Sequence, residues 1–286
     1  MTARAPNWFE QKYIAGVIHK LQSAGWLLRS AVNDTGEING NQVTWKIAGT
    51  GTATQMSTAI EDVPVMNADR TTVSATMADY EANDWIKTTD IEKMSENEQQ
   101  VSQKTGGMAM GRKFDSLMIG TMDAAAGAIN TVGDGSAAIS ITDLMTAQGN
   151  IADIGVGSYE YICALPTKLV QQLELYREFS NSQWVGDEFP LLKQIGARRF
   201  RGIMIVPMPS VFFNVPAANQ IDSYLWVKDY LGFVPNYQMV SRIDYVPTKK
   251  AYLAANTMGC AQAVLLNEGV QRLRFATNVA LTRPNP

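Results

Sequence analysis

Residues 89–127 predict one long helix, and their sequence is TDIEKMSENEQQVSQKTGGMAMGRKFDSLMIGTMDAAAG. Thr89 is placed to cap the helix, and Glu92 completes a capping box three residues later. Such a helix would be about 55 Å long, which exceeds what a compact domain needs. It therefore predicts an extended subunit. Apolar residues recur mostly three, four or seven positions apart, as one helix face requires: Ile91, Met94, Val101, Met108, Phe114, Leu117, Met118 and Met122.

Two features interrupt this pattern. Residues 95–104 are polar apart from Val101, so a coiled-coil seam, which needs sustained heptads, is not expected. Gly106 and Gly107 each disfavour a helix by about 1 kcal/mol relative to Ala. Either the helix bends at this pair or another segment packs closely against its backbone. The alternative interpretation is two shorter helices joined at the two glycines.

Composition excludes several classes of protein. The 286 residues are 46% hydrophobic and 18% charged, with a net charge of −3 and a pI near 5.3, so no global basic field attracts nucleic acid. No apolar run approaches the roughly 20 residues of a membrane span, and the N-terminus lacks the apolar core of a signal peptide. Cys163 and Cys260 lie among small or apolar residues, which predicts two buried thiols in a reducing compartment.

The segment before the long helix predicts an arm and a hairpin. Residues 7–21 predict an amphipathic helix with a capping box at Asn7 and Glu10. Residues 42–47 alternate as a half-buried strand, and residues 71–80 predict the returning strand. The intervening residues are too poor in apolar side chains for a core of their own. A lone projecting hairpin is marginal in water, so we expect it to rest on another chain.

The segment after the long helix alternates helices with strands. Residues 140–154 predict a helix with Ser140 and Asp143 as its cap and with one apolar face formed by Leu144, Met145, Ile151 and Ile154. Residues 159–165 predict a strand followed by a helix that begins near Pro166. Further strands are predicted at 202–206, which Pro207 ends, and at 223–227. This order predicts an α/β domain over residues 137–245. Residues 252–266 and 270–281 predict two return strands separated by a turn at 267–269.

Nothing in the sequence assembles a catalytic, cofactor-binding or metal-binding set, so we predict that the protein is not an enzyme. The single histidine, His19, lies on the terminal arm, and no His, Cys or carboxylate pattern has metal-ligand spacing. Residues 49–51 (GTG) lack the later glycine and lysine of a phosphate loop, and residues 133–135 (GDG) predict a linker turn between helices. Arginines 198, 199 and 201 form the densest basic cluster, which we expect to pair with carboxylates.

The succession of amphipathic arm, long hairpin, long helix, α/β domain and return strands resembles the major capsid protein of tailed bacteriophages, with the Hong Kong 97-like fold. The resemblance covers nearly the whole chain, and no single motif is diagnostic. Its carriers are the long helix (TTDIEKMSENEQQVSQKTGGMAMGRKFDSLM), the strand-Pro-helix unit YEYICALPTKLVQQL, and the segments SYLWVKDYLGF and MGCAQAVLLNEGVQRL.

The resemblance implies an α+β fold with an N-terminal arm, an extended β-hairpin loop, a long spine helix, a peripheral domain and an α/β axial domain. The implied segments are 1–36 for the arm, 37–88 for the extended loop and return strand, 89–136 for the spine helix of the peripheral domain, 137–245 for the axial domain and 246–286 for the peripheral return strands.

The function implied by the resemblance is structural. Such a chain would assemble into pentamers and hexamers of an icosahedral shell that encloses double-stranded DNA, without sequence-specific binding and without a membrane. A separate scaffolding protein, a portal and a decoration protein would be its partners. It would be assembled in the host cytoplasm and located in the virion. Two other hypotheses stay open from the sequence: the shell protein of a cellular nanocompartment, and an α/β enzyme with an unrecognised site.

Covalent cross-linking is not expected. Some capsids of this family join a lysine of the extended loop to an asparagine of a neighbour, assisted by a glutamate. Residues 47–69 contain no lysine, and the nearest are Lys46 and Lys87 at the base of the hairpin. Acceptors are available at Asn256, Asn267 and Asn278, but without a donor at the tip we predict a non-covalent shell.

Overall fold

The computed structural model describes residues 23–55, 65–66, 68–91, 98–155, 159–176 and 198–279. The predicted N-terminal helix with His19, residues 56–64 of the hairpin tip and residues 92–97 of the predicted long helix lie outside these ranges.

Within the described ranges, the helices are α1 Thr88–Ile91, α2 Glu98–Ala124, α3 Ile141–Ala152 and α4 Thr167–Leu173. The strands are β1 Glu37–Asn39, β2 Gln42–Ala48, β3 Arg70–Thr76, β4 Ala78–Lys87, β5 Asn130–Val132, β6 Tyr161–Pro166, β7 Arg198–Phe200, β8 Ile203–Met208, β9 Gln220–Val227, β10 Leu231–Val246, β11 Ala251–Val264 and β12 Val270–Ala276.

The chain forms two compact units. Among the described residues, unit 1 contains 23–26, 78–91, 98–115 and 235–260, and unit 2 contains the rest. Unit 1 is built on a three-stranded sheet of order β10-β11-β4, in which β4 pairs antiparallel with β11 from Ala78 opposite Cys260 to Lys87 opposite Ala251. The inner residues of β11, such as Ala254 and Met258, are each 1% exposed.

Unit 2 contains a six-stranded sheet of order β5-β12-β9-β6-β8-β7. The pairs β6 with β8 and β5 with β12 are parallel, and the others are antiparallel. All of β6 and all of β9 except Gln220 are buried, so the core of unit 2 is centred on these two strands. They correspond to the predicted strands 159–165 and 223–227, which the structure confirms.

Helix α3 confirms the predicted cap and corrects the predicted face. Ser140 Oγ accepts a hydrogen bond from the Asp143 amide, and the Asp143 carboxylate accepts one from the Ser140 amide. Leu144 and Ile151 are buried. Met145 and Ile154, predicted for the same face, are 40% and 57% exposed. Met145 is one residue, and so about a quarter-turn, away from Leu144, and Ile154 lies beyond the end of the helix.

The predicted hairpin is confirmed, with a different extent. β2 pairs antiparallel with β3, from Gln42 opposite Thr76 to Ala48 opposite Arg70. The returning strand does not run unbroken over 71–80, because β3 ends at Thr76 and β4 then joins the sheet of unit 1. The sequence analysis did not predict β1, which pairs with β2 across a two-residue turn.

The long helix runs through Gly106 and Gly107 without a break, so two helices joined at these glycines is the wrong interpretation. It ends at Ala124 instead of residue 127, and a short 3-10 turn follows at Ala126–Ala128. Packing of α2 against Asn256 and Trp26 provides stability that the low helix propensity of the two glycines does not.

Two further boundaries differ from prediction. β8 continues past Pro207 to Met208, because its parallel pairing with β6 extends to Met208 opposite Pro166. β12, predicted as a peripheral return strand, pairs antiparallel with β9 inside the six-stranded sheet.

Candidate functional site

The base of the hairpin is anchored by Trp45. This side chain is 3% exposed and lies in a cluster with Val43, Val234 and Ala261. A Cβ atom on Gly232 would lie 2.8 Å from the Trp45 Cε2 atom, and one on Gly36 would be equally close. The indole Nε1 is buried with no hydrogen-bond partner among the described residues. Close packing against two glycines, and not a polar contact, therefore holds the hairpin to unit 2.

The rest of the hairpin surface is open. All three residues of β1 are exposed, and β3 has no buried residue. Lys46 Nζ lies 2.6 Å from Glu37 Oε2, with side chains 73% and 59% exposed. The hydrogen bond and charge of Lys46 lower the pKa of Glu37. Apart from the part of one face that packs around Trp45, the hairpin sheet is thus largely exposed.

In unit 1, α2 packs on the three-stranded sheet through polar and glycine contacts. Ser102 Oγ donates to Asp84 Oδ2 at 2.8 Å, and Lys113 Nζ lies 5.0 Å from the centre of the Tyr80 ring. Asn256 is 1% exposed and donates to the Ala82 carbonyl at 3.2 Å. A Cβ atom on Gly106 would collide with the Asn256 amide. The predicted close packing against the helix is therefore confirmed at Gly106.

Gly107 behaves differently from its neighbour. A Cβ atom there would meet the Met239 Cε atom at 3.7 Å, which is ordinary van der Waals contact. Only one glycine of the pair is required by packing.

The chain entering unit 1 lies against the same helix. Trp26 stacks on Phe114 with ring centroids 5.0 Å apart, and its amide donates to the Gly111 carbonyl at 3.3 Å. Gly25, with φ of +77°, passes so close to the Gly111 backbone that neither position has room for a side chain. These contacts bury the face of Trp26 that lies against α2.

A buried polar network holds the end of α2 in unit 2. Asp222, whose side chain is 1% exposed, accepts two hydrogen bonds from Arg274, at 2.7 and 2.8 Å. Tyr224 Oη donates to Asp123 Oδ1 at 2.9 Å, and Asn214 donates to the same oxygen at 3.1 Å. Burial raises the pKa of Tyr224, and the hydrogen bond to Asp222 raises that of Arg274. Because Asp123 lies in the last turn of α2, this network fixes the helix end against β9.

The sequence did not predict either the Trp45 anchor or this network. A signal for the network exists, since Asp222 and Arg274 are charged residues in two largely buried strands, β9 and β12. A charged residue inside a buried strand requires a partner, but the sequence does not say which residue supplies it.

Neither thiol is placed for chemistry. Cys163 and Cys260 are both buried, as predicted. Burial raises the pKa of Cys260 to about 11 and also raises that of Cys163. The described residues contain no cluster of three or more His, Cys, Asp or Glu side chains suited to a metal. No described helix has the length and apolar character to cross a membrane.

The other candidate motifs have structural roles. Arg199 Nη2 lies 4.0 Å from Glu160 Oε1, which confirms carboxylate pairing for that arginine. Arg201 Nη1 lies 3.3 Å from Met145 Sδ, and the Arg198 side chain is outside the described set. The Gly49 amide donates to the Asp69 carbonyl at 2.6 Å and closes the hairpin. Residues 133–135 form a turn between β5 and α3, and not between two helices.

The residues considered for cross-linking are spread over the fold. Lys46 is paired with Glu37, and Lys87 is exposed at the end of β4. Asn267 and Asn278 are exposed, but Asn256 is buried beneath α2. Asn256 is therefore not an accessible acceptor, contrary to the sequence expectation.

The described residues thus form a long helix on a sheet, an anchored hairpin and a second α/β unit, and the features found among them are packing contacts. The sequence matches the family model described as phage capsid protein over residues 5–277. The chain belongs to this family, which gives it a structural role in the virion capsid.

Solved structures show the same fold at low sequence identity. The capsid of the cyanophage P-SCSP1u is 14% identical, with a TM-score of 0.71 over 93% of this chain and 92% of that one. A chain of the cyanophage Pam1 capsid is 8% identical, with a TM-score of 0.70 over 98% and 100%. A chain from Mycobacterium phage Che8 is 11% identical, with a TM-score of 0.69 over 90% and 94%. No curated protein matches the chain. The predicted mixed helix and sheet fold of a phage capsid protein is thus confirmed.

Proposed function

We propose that this chain self-assembles into the pentamers and hexamers of an icosahedral shell that encloses double-stranded DNA. The observation that carries the proposal is the family match over residues 5–277. Similarity to chains of phage capsids over nine-tenths or more of the sequence supports it.

The hairpin is the element that we expect to join subunits. Its base is fixed by Trp45, but β1 and β3 contribute no buried residue to the isolated chain. One face of this small sheet packs at the Trp45 cluster, and the rest of the sheet is open to solvent. Laying the hairpin on a neighbouring subunit would bury the open part, and such contacts should exceed roughly 1,000 Å² in a specific interface.

We assign unit 1, with the spine helix α2, to the peripheral domain and the six-stranded sheet to the axial domain. Residues 1–36 would be the arm, 37–88 the extended loop and return strand, 89–136 the spine and 137–245 the axial segment. The predicted peripheral segment 246–286 is amended, because the pairing of β12 with β9 favours an axial role for β12.

The partners follow from this assignment. A net charge of −3 would let DNA pack inside the shell without adhering to its wall. A separate scaffolding protein, a portal and a decoration protein are the expected protein partners, with assembly in the host cytoplasm.

We further propose that the shell is non-covalent. No lysine lies in residues 47–69, and Asn256 is buried. Particles boiled in detergent should run as one band near the chain mass of 31.3 kDa. A ladder of multimers that resists reductant would contradict this.

The assembly proposal is tested by electron microscopy of the purified chain, with and without its scaffold, followed by analysis of nuclease-treated particles. We expect closed shells built from five-fold and six-fold capsomers, with DNA in filled particles. A chain that stays monomeric by light scattering at high concentration would contradict the proposal. Shells that consistently contain protein cargo and no nucleic acid would favour a nanocompartment.

A further inference from the structure

The tip of the β1–β2 hairpin carries the single Asn-Gly dipeptide of the sequence, Asn39-Gly40. Asn39 pairs with Gln42, so Gly40 and Asn41 form a two-residue turn. Gly40 has φ of +60°, a backbone conformation that residues with a side chain rarely adopt. Glycine at the first central position is typical of a type II′ hairpin turn. The turn that starts the hairpin therefore places an asparagine directly before an unhindered backbone amide.

The surroundings leave both reacting groups accessible. Asn39 and Gly40 are exposed, and no atom lies within 4 Å of where a Gly40 Cβ would be. Within the described part of the chain, the Asn39 side chain makes no hydrogen bond. The amide of a central turn residue is also outside the ladder of strand hydrogen bonds. β1 has three residues, all exposed, at the edge of its sheet, so its end can open at little cost.

We propose that Asn39 is a site of spontaneous deamidation in the folded protein. The Gly40 backbone nitrogen attacks Cγ of Asn39, forming an N–Cγ bond and releasing the side-chain amide as ammonia with the proton from Gly40. The resulting succinimide then adds water at one of its two carbonyls. Opening at one carbonyl gives aspartate, and opening at the other gives isoaspartate, with no oxidant or reductant required.

The same structure contains a matched site that it protects. Asp134-Gly135 is the single Asp-Gly dipeptide, and aspartate can form the same succinimide by loss of water. There Asp134 Oδ1 accepts hydrogen bonds from the Ser136 hydroxyl at 2.6 Å and from the Ser136 amide at 2.9 Å. These bonds lower the pKa of Asp134 and so disfavour the protonated acid that cyclises. Gly135 is buried, with the Gln220 side chain against it.

Conversion at position 39 would change the hairpin chemically. The new carboxylate would lie two residues from Glu37, on the same side of β1, and would add a second negative charge to that side. Isoaspartate would add a methylene group to the backbone and disturb the pairing with Gln42. A weaker contact with a neighbouring subunit would follow only if the proposed function is correct. The deamidation itself does not depend on the proposed function.

The test incubates the folded full-length chain in mildly alkaline buffer made with ¹⁸O-water. Peptide mapping by mass spectrometry then follows ¹⁸O incorporation and isoaspartate at positions 39 and 134. The same chain unfolded in denaturant gives the intrinsic rate at both positions. An N39Q variant, which cannot form the five-membered imide, identifies signal that does not come from Asn39.

We expect position 39 of the folded chain to gain ¹⁸O and isoaspartate steadily while position 134 stays unchanged. Both positions should react once the chain is unfolded. The proposal is overturned if position 39 stays intact in the folded chain over a time in which the unfolded chain converts, or if position 134 reacts as fast as position 39. Because the readout is chemical, failure of shell assembly would not affect it.

Discussion

The six-stranded sheet and the hairpin sheet belong to the same unit but are stabilised differently. In the six-stranded sheet, β6 is buried throughout, and the buried carboxylate of Asp222 is paired with Arg274. In the hairpin sheet, Val43 and Trp45 are the buried residues of β2, and β1 and β3 have none. The central strands of the first sheet are buried within one chain. The second sheet packs at the Trp45 cluster, and the rest of its surface is largely exposed.

The largest effect is expected for W45A, which removes the anchor of the hairpin. Truncating a buried tryptophan of this kind costs about 3–5 kcal/mol, measured as the free energy of unfolding in denaturant. W85A is the matched control, because Trp85 is 46% exposed beneath Lys249, and its loss should cost about 1 kcal/mol or less. Equal losses in the two variants would show that Trp45 is not an anchor.

The second test separates the enclosed ion pair from an exposed one of the same geometry. D222N leaves Arg274 unpaired and should cost about 3 kcal/mol, the lower end of the range for a broken buried pair, since Arg274 is 25% exposed. Asp34 also binds Arg29 through two hydrogen bonds, at 2.9 and 2.8 Å, but with side chains half exposed. D34N should therefore cost at most about 1 kcal/mol. The free energy of unfolding in denaturant, measured for both variants, tests this difference.

A third test uses three glycines of α2. G106A should destabilise the chain by about 1–3 kcal/mol, because its methyl group would overlap the Asn256 amide. G107A and G120A have room for the methyl group and should stabilise the helix by up to about 1 kcal/mol. Thermal unfolding of the three variants is the measurement. A gain in G106A would mean that Asn256 moves aside and that this contact is not restrictive.

The smallest effect is expected at the exposed pair of the hairpin. Lys46 lowers the pKa of Glu37, so this contribution is present above the ordinary glutamate pKa and is lost as the pH falls through the lowered value. NMR titration should find Glu37 below its usual value in the native chain and near it in K46M. The same Glu37 pKa in both would remove Lys46 as the cause.

Sequence patterning predicted the elements whose apolar periodicity is strong. The strand over 42–47, the buried strands near 159–165 and 223–227, and the cap of α3 at Ser140 all agree with the structure. It failed where long-range pairing decides. β1 and β5 have three residues each and are fixed by their partners. β4 begins two residues after β3 ends but joins a different sheet.

The candidate surfaces were predicted less completely, for a related reason. Close packing at the glycine pair was expected, but only Asn256, 150 positions later than Gly106, shows that Gly106 and not Gly107 requires it. The alternation of β2 predicts that Trp45 points inward. No sequence pattern identifies Gly36 and Gly232 as the residues against which it packs. Contacts between residues distant in sequence are not encoded in local periodicity.

Hydrogen exchange, measured on the unassembled chain and on the assembled shell, shows whether a neighbouring subunit covers the hairpin. In the unassembled chain, amides of β6 and β9 should exchange slowly and those of β1 and β3 quickly. In the shell, β1 and β3 should become protected, because a neighbouring subunit covers them. Unchanged, rapid exchange of β1 and β3 in intact shells would contradict the claim that the hairpin joins subunits.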